Sequence, residues 1–179
     1  RQAKTQITPN PVLLRLDGGK RAYGHCSRTQ KTGQYQSINE MTSAKEFIWP
    51  LRVYYEDTDS GGVVYYANYL KFMERARTEW LRHLGFEQDR LAEQEGVIFA
   101  VRRAEVDFLA PARFNDALEV RVGIVERKRA SITFRQDIIN TSSGTTLCSG
   151  RIQIASIDAA RFRPRAIPES LLKELPDVE

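Results

Sequence analysis

The sequence predicts an α+β domain, an antiparallel β-sheet wrapped around one long central α-helix. Three observations carry this. Apolar residues recur at steps of three and four from Tyr69 to Leu84, the spacing that lines one face of a helix. From Val97 onward the chain turns to β-rich runs with period-two alternation, separated by short polar turns, as consecutive antiparallel strands require. The 179 residues suffice for one domain with a sizeable core and are too few for two ordinary ones.

The elements follow in chain order. Residues 1–40 are rich in Gln, Thr, Ser, Gly, Lys and Arg, carry Pro9 and Pro11, and hold only Val12-Leu13-Leu14 as an apolar cluster. Such a segment buries too little to offset its ordering entropy, so a disordered N-terminal extension is expected there. Met41-Thr42-Ser43-Ala44-Lys45 reads as an ordinary protein start, which puts the folded domain over 41–179. The extension is then either sequence ahead of the native start or a basic arm for a partner. Phe47–Tyr55 predicts a strand, with Pro50 assigning it to an edge or entry point. Glu56–Gly62 is a polar, glycine-bearing turn. The helix follows, its stripe made by Tyr69, Phe72, Met73, Ala76, Trp80, Leu81 and Leu84, with Asn68 as N-cap and Gly85 as stop.

A short second helix is predicted over Gln88–Glu95, ended by Gly96. Val97–Leu109 is one β-rich run. Leu118, Val120, Val122 and Ile124 alternate with polar residues and glycine in the next, and Ile132, Phe134, Gln136 and Ile138 share a face in the third. Thr141–Thr145, with Gly144, marks a hairpin turn before Leu147–Ile157 runs back. Pro164 and Pro168 close the sheet region, leaving a helical tail from Glu169 to Leu175.

Composition narrows the function. Apolar residues make up 41% and charged residues 28%, a soluble globular balance. No run approaches the roughly 18 apolar residues of a membrane span, and no cleavable leader is evident, so a cytoplasmic protein without membrane insertion is expected. Cys26 and Cys148 are too few for a disulfide framework and lack zinc-site spacing, which predicts free thiols. The pI near 9.2 invites a nucleic-acid reading. Of the 27 basic and 23 acidic residues, seven and two fall in residues 1–40, leaving 20 and 21 and a net charge near −1 for the rest. The folded part is not basic, so no nucleic-acid partner is expected.

The densest candidate chemistry lies between Tyr54 and Tyr69, where Glu56, Asp57, Asp59, Gly61 and Gly62 immediately precede the helix. A helix N-terminus presents unpaired N–H groups and a partial positive charge of roughly half a unit. It stabilises a carboxylate, and equally an oxyanion forming on a substrate carbonyl. Glycines let backbone approach a ligand closely. The plainer reading is that Asp57 and Asp59 only shape a turn. No histidine lies nearby and the spacing fits no calcium loop, so neither metal nor cofactor is expected. The domain's one histidine, His83, lies about 23 Å along the helix from Asn68, where it suits the helix dipole better than base catalysis. There is no Gly-x-Ser-x-Gly elbow and no P-loop, and Cys148 reads as core. Hydrolytic chemistry in this chain must therefore rest on a carboxylate.

Tyr54–Leu81, reading YYEDTDSGGVVYYANYLKFMERARTEWL, resembles the opening of the Tol-Pal-associated acyl-CoA thioesterases, in the 4-hydroxybenzoyl-CoA thioesterase branch of the hot-dog fold. Ala110-Pro111-Ala112-Arg113, Asp116 and Arg163-Pro164-Arg165-Ala166-Ile167-Pro168 match as well, and the similarity runs from about Phe47 to Leu172. The resemblance implies hydrolysis of acyl-CoA by Asp59, which either attacks the thioester or activates a water. It implies that the backbone N–H of Tyr66 polarises the carbonyl, with Gly62 and Val63 against the substrate. It also implies a homodimer or homotetramer whose second subunit completes the pocket. Close relatives often carry histidine where this chain has Tyr66, which leaves the backbone donor but bears on substrate preference. The phosphates of CoA call for positive charge, for which Arg127-Lys128-Arg129 is the candidate; the same residues could form a solvated hairpin tip, and Arg102-Arg103 is a weaker candidate. Phe72, Met73 and Trp80 read as core, while Tyr65 and Tyr69 flank the site. A hot-dog dehydratase would need a histidine at the site. A non-catalytic module binding acyl-CoA or acyl carrier protein near envelope machinery is the remaining alternative.

Overall fold

A computed structural model describes residues 46–176 and 178. The extension over residues 1–40, the start at Met41 and Cys26 lie outside the described residues. Five strands, β1 (Phe47–Arg52), β2 (Val97–Phe108), β3 (Ala117–Lys128), β4 (Ser131–Asn140) and β5 (Thr146–Asp158), form one sheet in the order β1-β3-β4-β5-β2. Every pairing is antiparallel. The helices are α1 (Tyr66–His83), α2 (Gln88–Glu95) and α3 (Glu169–Glu174), and a 3₁₀ turn occupies Tyr55–Asp57.

The core lies between α1 and the sheet. Phe72, Met73, Ala76, Trp80 and Leu81, all in the predicted stripe, are buried against Val120, Ile124, Ile132, Phe134, Ile138 and Ile152. Each such large side chain contributes about 1.5–3 kcal/mol by leaving water. Trp80 meets Phe134 edge to face at 5.3 Å. Gly150 of β5 lets the helix lie close, since a Cβ there would stand 2.8 Å from Met73 Cε and 2.9 Å from Met73 Sδ. Gln136 is the polar link across this contact. Its Nε2 donates to the Met73 carbonyl (2.9 Å) and its Oε1 accepts from Arg77 Nη1 (2.6 Å). Burial lowers the Arg77 pKa, with the Glu74 charge opposing that shift.

Three boundaries differ from expectation. Helix α1 begins at Tyr66 rather than Tyr69, and Asn68 does not cap it. The Asp57 carbonyl, presented by the 3₁₀ turn, accepts both the Tyr65 N–H (2.9 Å) and Asn68 Nδ2 (2.9 Å). The carbonyl thus ties down the residue ahead of the helix and the Asn68 side chain, which is buried inside the first turn, and the first helical N–H groups stay without a side-chain cap. Strand β1 stops at Arg52 because Tyr54 is already engaged with the 3₁₀ turn. Strand β3 runs to Lys128, so Arg127 and Lys128 end a strand and only Arg129 and Ala130 form the turn. Among the described residues strand β2 is an edge of the sheet, exposed from Val101 to Glu105 and again at Asp107 and Phe108.

Candidate active site

The loop between β1 and α1 is built from its own backbone. Asp57 is 6% exposed, and its Oδ2 accepts the Tyr54 N–H at 2.9 Å. Two residues later Asp59 is exposed. Its N–H donates to the Val63 carbonyl and its carbonyl accepts from the Gly62 N–H, both at 3.0 Å. Its Oδ1 accepts the Gly61 N–H at 2.7 Å, and Oδ2 has no hydrogen-bond partner among the described residues. A Cβ on Gly61 would come within 3.0 Å of that Oδ1, so glycine is what lets the carboxylate fold back onto the loop. Gly62 has φ of +72° and its N–H is committed to Asp59, which makes it a turn former.

The loop is then pinned to the 110–116 segment. Val64 N–H donates to the Ala112 carbonyl (2.8 Å), Val63 bridges Arg113, and Ala112 N–H donates to the buried Tyr69 hydroxyl (2.8 Å). Burial raises the Tyr69 pKa, and the Ala112 hydrogen bond pulls it partly back. At the start of α1 the N–H groups of Tyr66 and Ala67 have no partner among the described residues, and they carry the positive end of an 18-residue helix. The Tyr65 phenol is raised first by its hydrogen bond with Tyr66, and the Asp59 charge adds a smaller contribution.

Beside this N-terminus a groove of about 260 Å³ runs between Tyr66, Tyr69, Phe108, Leu109 and Pro111. Phe108 stands edge to face with Tyr66 at 6.3 Å and with Tyr69 at 5.7 Å. Phe108 and Leu109 are 51% and 61% exposed, and the sequence marked them only as the end of a strand. Gly61 serves the Asp59 side chain rather than a ligand, as Asp-x-Gly is the signature of a side chain turning back onto its own backbone. A second, more enclosed pocket of about 110 Å³ lies against the other half of α1, between Glu74, Arg77, Trp80, Phe99 and Val101. Arg77 is about 16 Å along the helix from Tyr66.

Asp59, Gly62 and Val63 share one hydrogen-bonded loop that precedes Tyr66, the first residue of α1, but Arg127, Lys128 and Arg129 do not join them. The Asp59 loop meets the sheet where β3 begins, through Val53 N–H on the Asp116 carbonyl. Lys128 is at the other end of β3, about 36 Å away at the usual rise per residue. Cys148 is fully buried, and its thiol is pushed up to about 12, by burial first and then by the charges of Asp107 and Asp137. It cannot supply a thiolate at neutral pH. His83 is exposed as the last residue of α1, 5.5 Å from the Phe47 ring. No described helix is long and apolar enough to cross a membrane.

Residues 53–175 match the thioesterase-like superfamily. The acyl-CoA thioester hydrolase YbgC of Escherichia coli O6:H1 is 46% identical over 128 residues, 72% of this chain and 94% of that protein. A probable thioesterase from Bartonella henselae, solved by crystallography, superposes with TM-score 0.65 at 36% identity, over 69% of this chain and 99% of the other. A 4-hydroxybenzoyl CoA thioesterase variant complexed with 4-hydroxybenzoyl CoA shares the fold, with TM-score 0.69 at 18% identity, over 74% of this chain and all of that one. The sheet order, the central helix and this degree of identity agree: the chain belongs to the thioesterase-like superfamily of hot-dog proteins, in the family of the YbgC acyl-CoA thioesterases.

Proposed function

We propose that the protein hydrolyses acyl-CoA thioesters to a free acid and CoA, with Asp59 as the catalytic carboxylate. The observation that carries this is the pairing of an exposed Asp59, steadied through Oδ1 and free at Oδ2, with the unpartnered N–H groups at the start of α1. A thioester carbonyl held by the Tyr66 N–H would gather negative charge on oxygen as its carbon is attacked, and that N–H stabilises the charge. Either Asp59 attacks, CoA leaves as thiolate and water opens the resulting anhydride, or Asp59 takes a proton from the water that attacks. Label in Asp59 after a single turnover in ¹⁸O-water marks the first route, in which water opens the anhydride at the Asp59 carbonyl.

Asp59→Asn keeps shape and removes the charge. It should lower kcat on the order of 10²–10⁴-fold and move stability by no more than about 1 kcal/mol. Retention of more than about a tenth of wild-type kcat on every substrate the wild type hydrolyses would overturn the assignment. Binding of acyl-CoA without any thiol release by the wild type would favour the alternative, a module that binds acyl-CoA or acyl carrier protein.

A second copy belongs to this reading. Among the described residues β2 is an edge strand with one side open, and its exposed stretch is basic at Arg102 and Arg103 and acidic at Glu105 and Asp107. Laid antiparallel on its own copy, the basic half meets the acidic half, which favours self-pairing. Phe108 sits by the helix N-terminus, and Phe99 and Val101 sit by the far half of α1. The same pairing therefore brings the basic end of one copy toward the Asp59 loop of the other. Arg127, Lys128 and Arg129 would then hold CoA phosphates in the partner's site, in a homodimer or in a homotetramer built from it. CoA thioesters are cytoplasmic substrates, and the reading carries that location.

A further inference from the structure

At the basic end of the sheet, the turn after β5 presents Phe162 with 74% of its surface exposed and a φ of +52°. A side chain with a Cβ rarely adopts that backbone, and a bulky aromatic one more rarely still. The surroundings hold it there. Asp158 Oδ1 accepts the Ala160 N–H (3.2 Å) and the Arg161 N–H (2.9 Å), and the Asp158 carbonyl accepts the Phe162 N–H (2.9 Å). Asp158 N–H donates to the Arg163 carbonyl (2.9 Å), and Arg165 Nη1 reaches both Asp158 Oδ2 (3.3 Å) and the Gly96 carbonyl (3.2 Å). A tightly bonded turn thus carries an aromatic ring that contributes little to the core.

Its neighbours are cationic. Arg161, Arg163 and Arg165 line an open cleft of about 930 Å³ together with Asp158 and Pro164. Arg161 and Arg163 are exposed and form no ion pair among the described residues. The β3–β4 tip adjoins them, for Ile167 N–H donates to the Arg129 carbonyl (2.9 Å) and Ser156 N–H to the Ala130 carbonyl (2.9 Å). An exposed ring among arginines suits a ligand with a flat π-face and several phosphates, since stacking accepts the one and guanidinium groups the other. We propose that Phe162 stacks on the adenine of CoA's nucleotide end while Arg161 and Arg163 contact its phosphates. The identity of the ligand rests on the thioesterase reading above.

The test uses the full chain and two probes, adenosine 3′,5′-bisphosphate and inorganic pyrophosphate, titrated by calorimetry at fixed salt. The wild type should bind the nucleotide more tightly than pyrophosphate. Phe162→Ala should weaken nucleotide binding about tenfold and change pyrophosphate binding far less, while Phe162→Trp retains both. In hydrolysis, Phe162→Ala should raise KM for acyl-CoA by a similar factor with kcat held, and should raise KM much less for an acyl-pantetheine, which lacks the nucleotide. Absence of nucleotide binding, or equal loss of both probes in Phe162→Ala, would overturn the proposal. Because the titration needs no turnover, it decides Phe162 even where the Asp59 assignment fails. Melting curves accompany each variant, and Phe162→Gly, which relaxes the positive φ, repeats the test if Phe162→Ala folds poorly.

Discussion

Asp57 and Asp59 are separated by a single residue, yet the first points its Oδ2 back to the Tyr54 N–H while the second stands exposed. Asp57 also offers its carbonyl to Tyr65 N–H and Asn68 Nδ2, so it holds the loop and the first turn of α1 in place. Removing its carboxylate should loosen that junction by an amount typical of a lost cap. Asp57→Ala is expected to lower stability by about 1–2 kcal/mol, read from urea denaturation midpoints at unchanged slope. Asp57→Asn, which keeps an acceptor oxygen, should reduce kcat far less than Asp59→Asn. The order of the two aspartates is thus reversed between the stability and the activity measurements, and a common order in both would show that the division of labour is wrong.

For the elements, the decisive contact is α1 on β5. Gly150 faces the end of the Met73 side chain, which is wholly buried. Gly150→Ala should cost about 1–3 kcal/mol through overpacking. Combined with the smaller Met73→Val, the loss should be less than the sum of the two single changes, because the added methyl then has space. Strict additivity of the denaturation free energies would mean that helix and strand do not meet there as described. The contact bears on the site because it sets how the helix lies on the sheet, and with it the position of the Tyr66 and Ala67 N–H groups.

For the whole molecule, the edge position of β2 and the separation of Asp59 from Arg127, Lys128 and Arg129 are two sides of one arrangement. Strand β3 begins beside the Asp59 loop and ends far from it, so one copy holds the Asp59 carboxylate and the basic residues at opposite ends. Within a copy Arg103 pairs with Glu105 on the exposed face, and in the proposed antiparallel assembly the same two residues would exchange partners. Glu105→Arg should weaken the assembly, and Arg103→Glu added to it should restore it. Sedimentation equilibrium at micromolar concentration reads both, with the wild type at a multiple of 20.5 kDa. A wild type at 20.5 kDa alone would remove the shared site together with the edge pairing.

The sequence by itself determined the parts whose cause is local. Period-3.6 apolar spacing marked the buried face of α1, alternation marked β3 and β4, and Gly96 and Gly144 marked where chain direction changes. The clustering of Glu56, Asp57, Asp59 and two glycines before a helix was enough to locate the candidate site. Only the tertiary structure decided which aspartate is exposed and where α1 begins. The Asp57 carboxylate is held by the Tyr54 N–H, and the Asp57 carbonyl ties down Tyr65 and Asn68, partners that no local pattern records. It also decided that Phe108 and Leu109 border Tyr66, and that Arg127, Lys128 and Arg129 stand at the far end of the sheet. Periodicity tells which face of an element is buried, but the neighbours that face meets follow from strand order and register, which the chain settles only by folding.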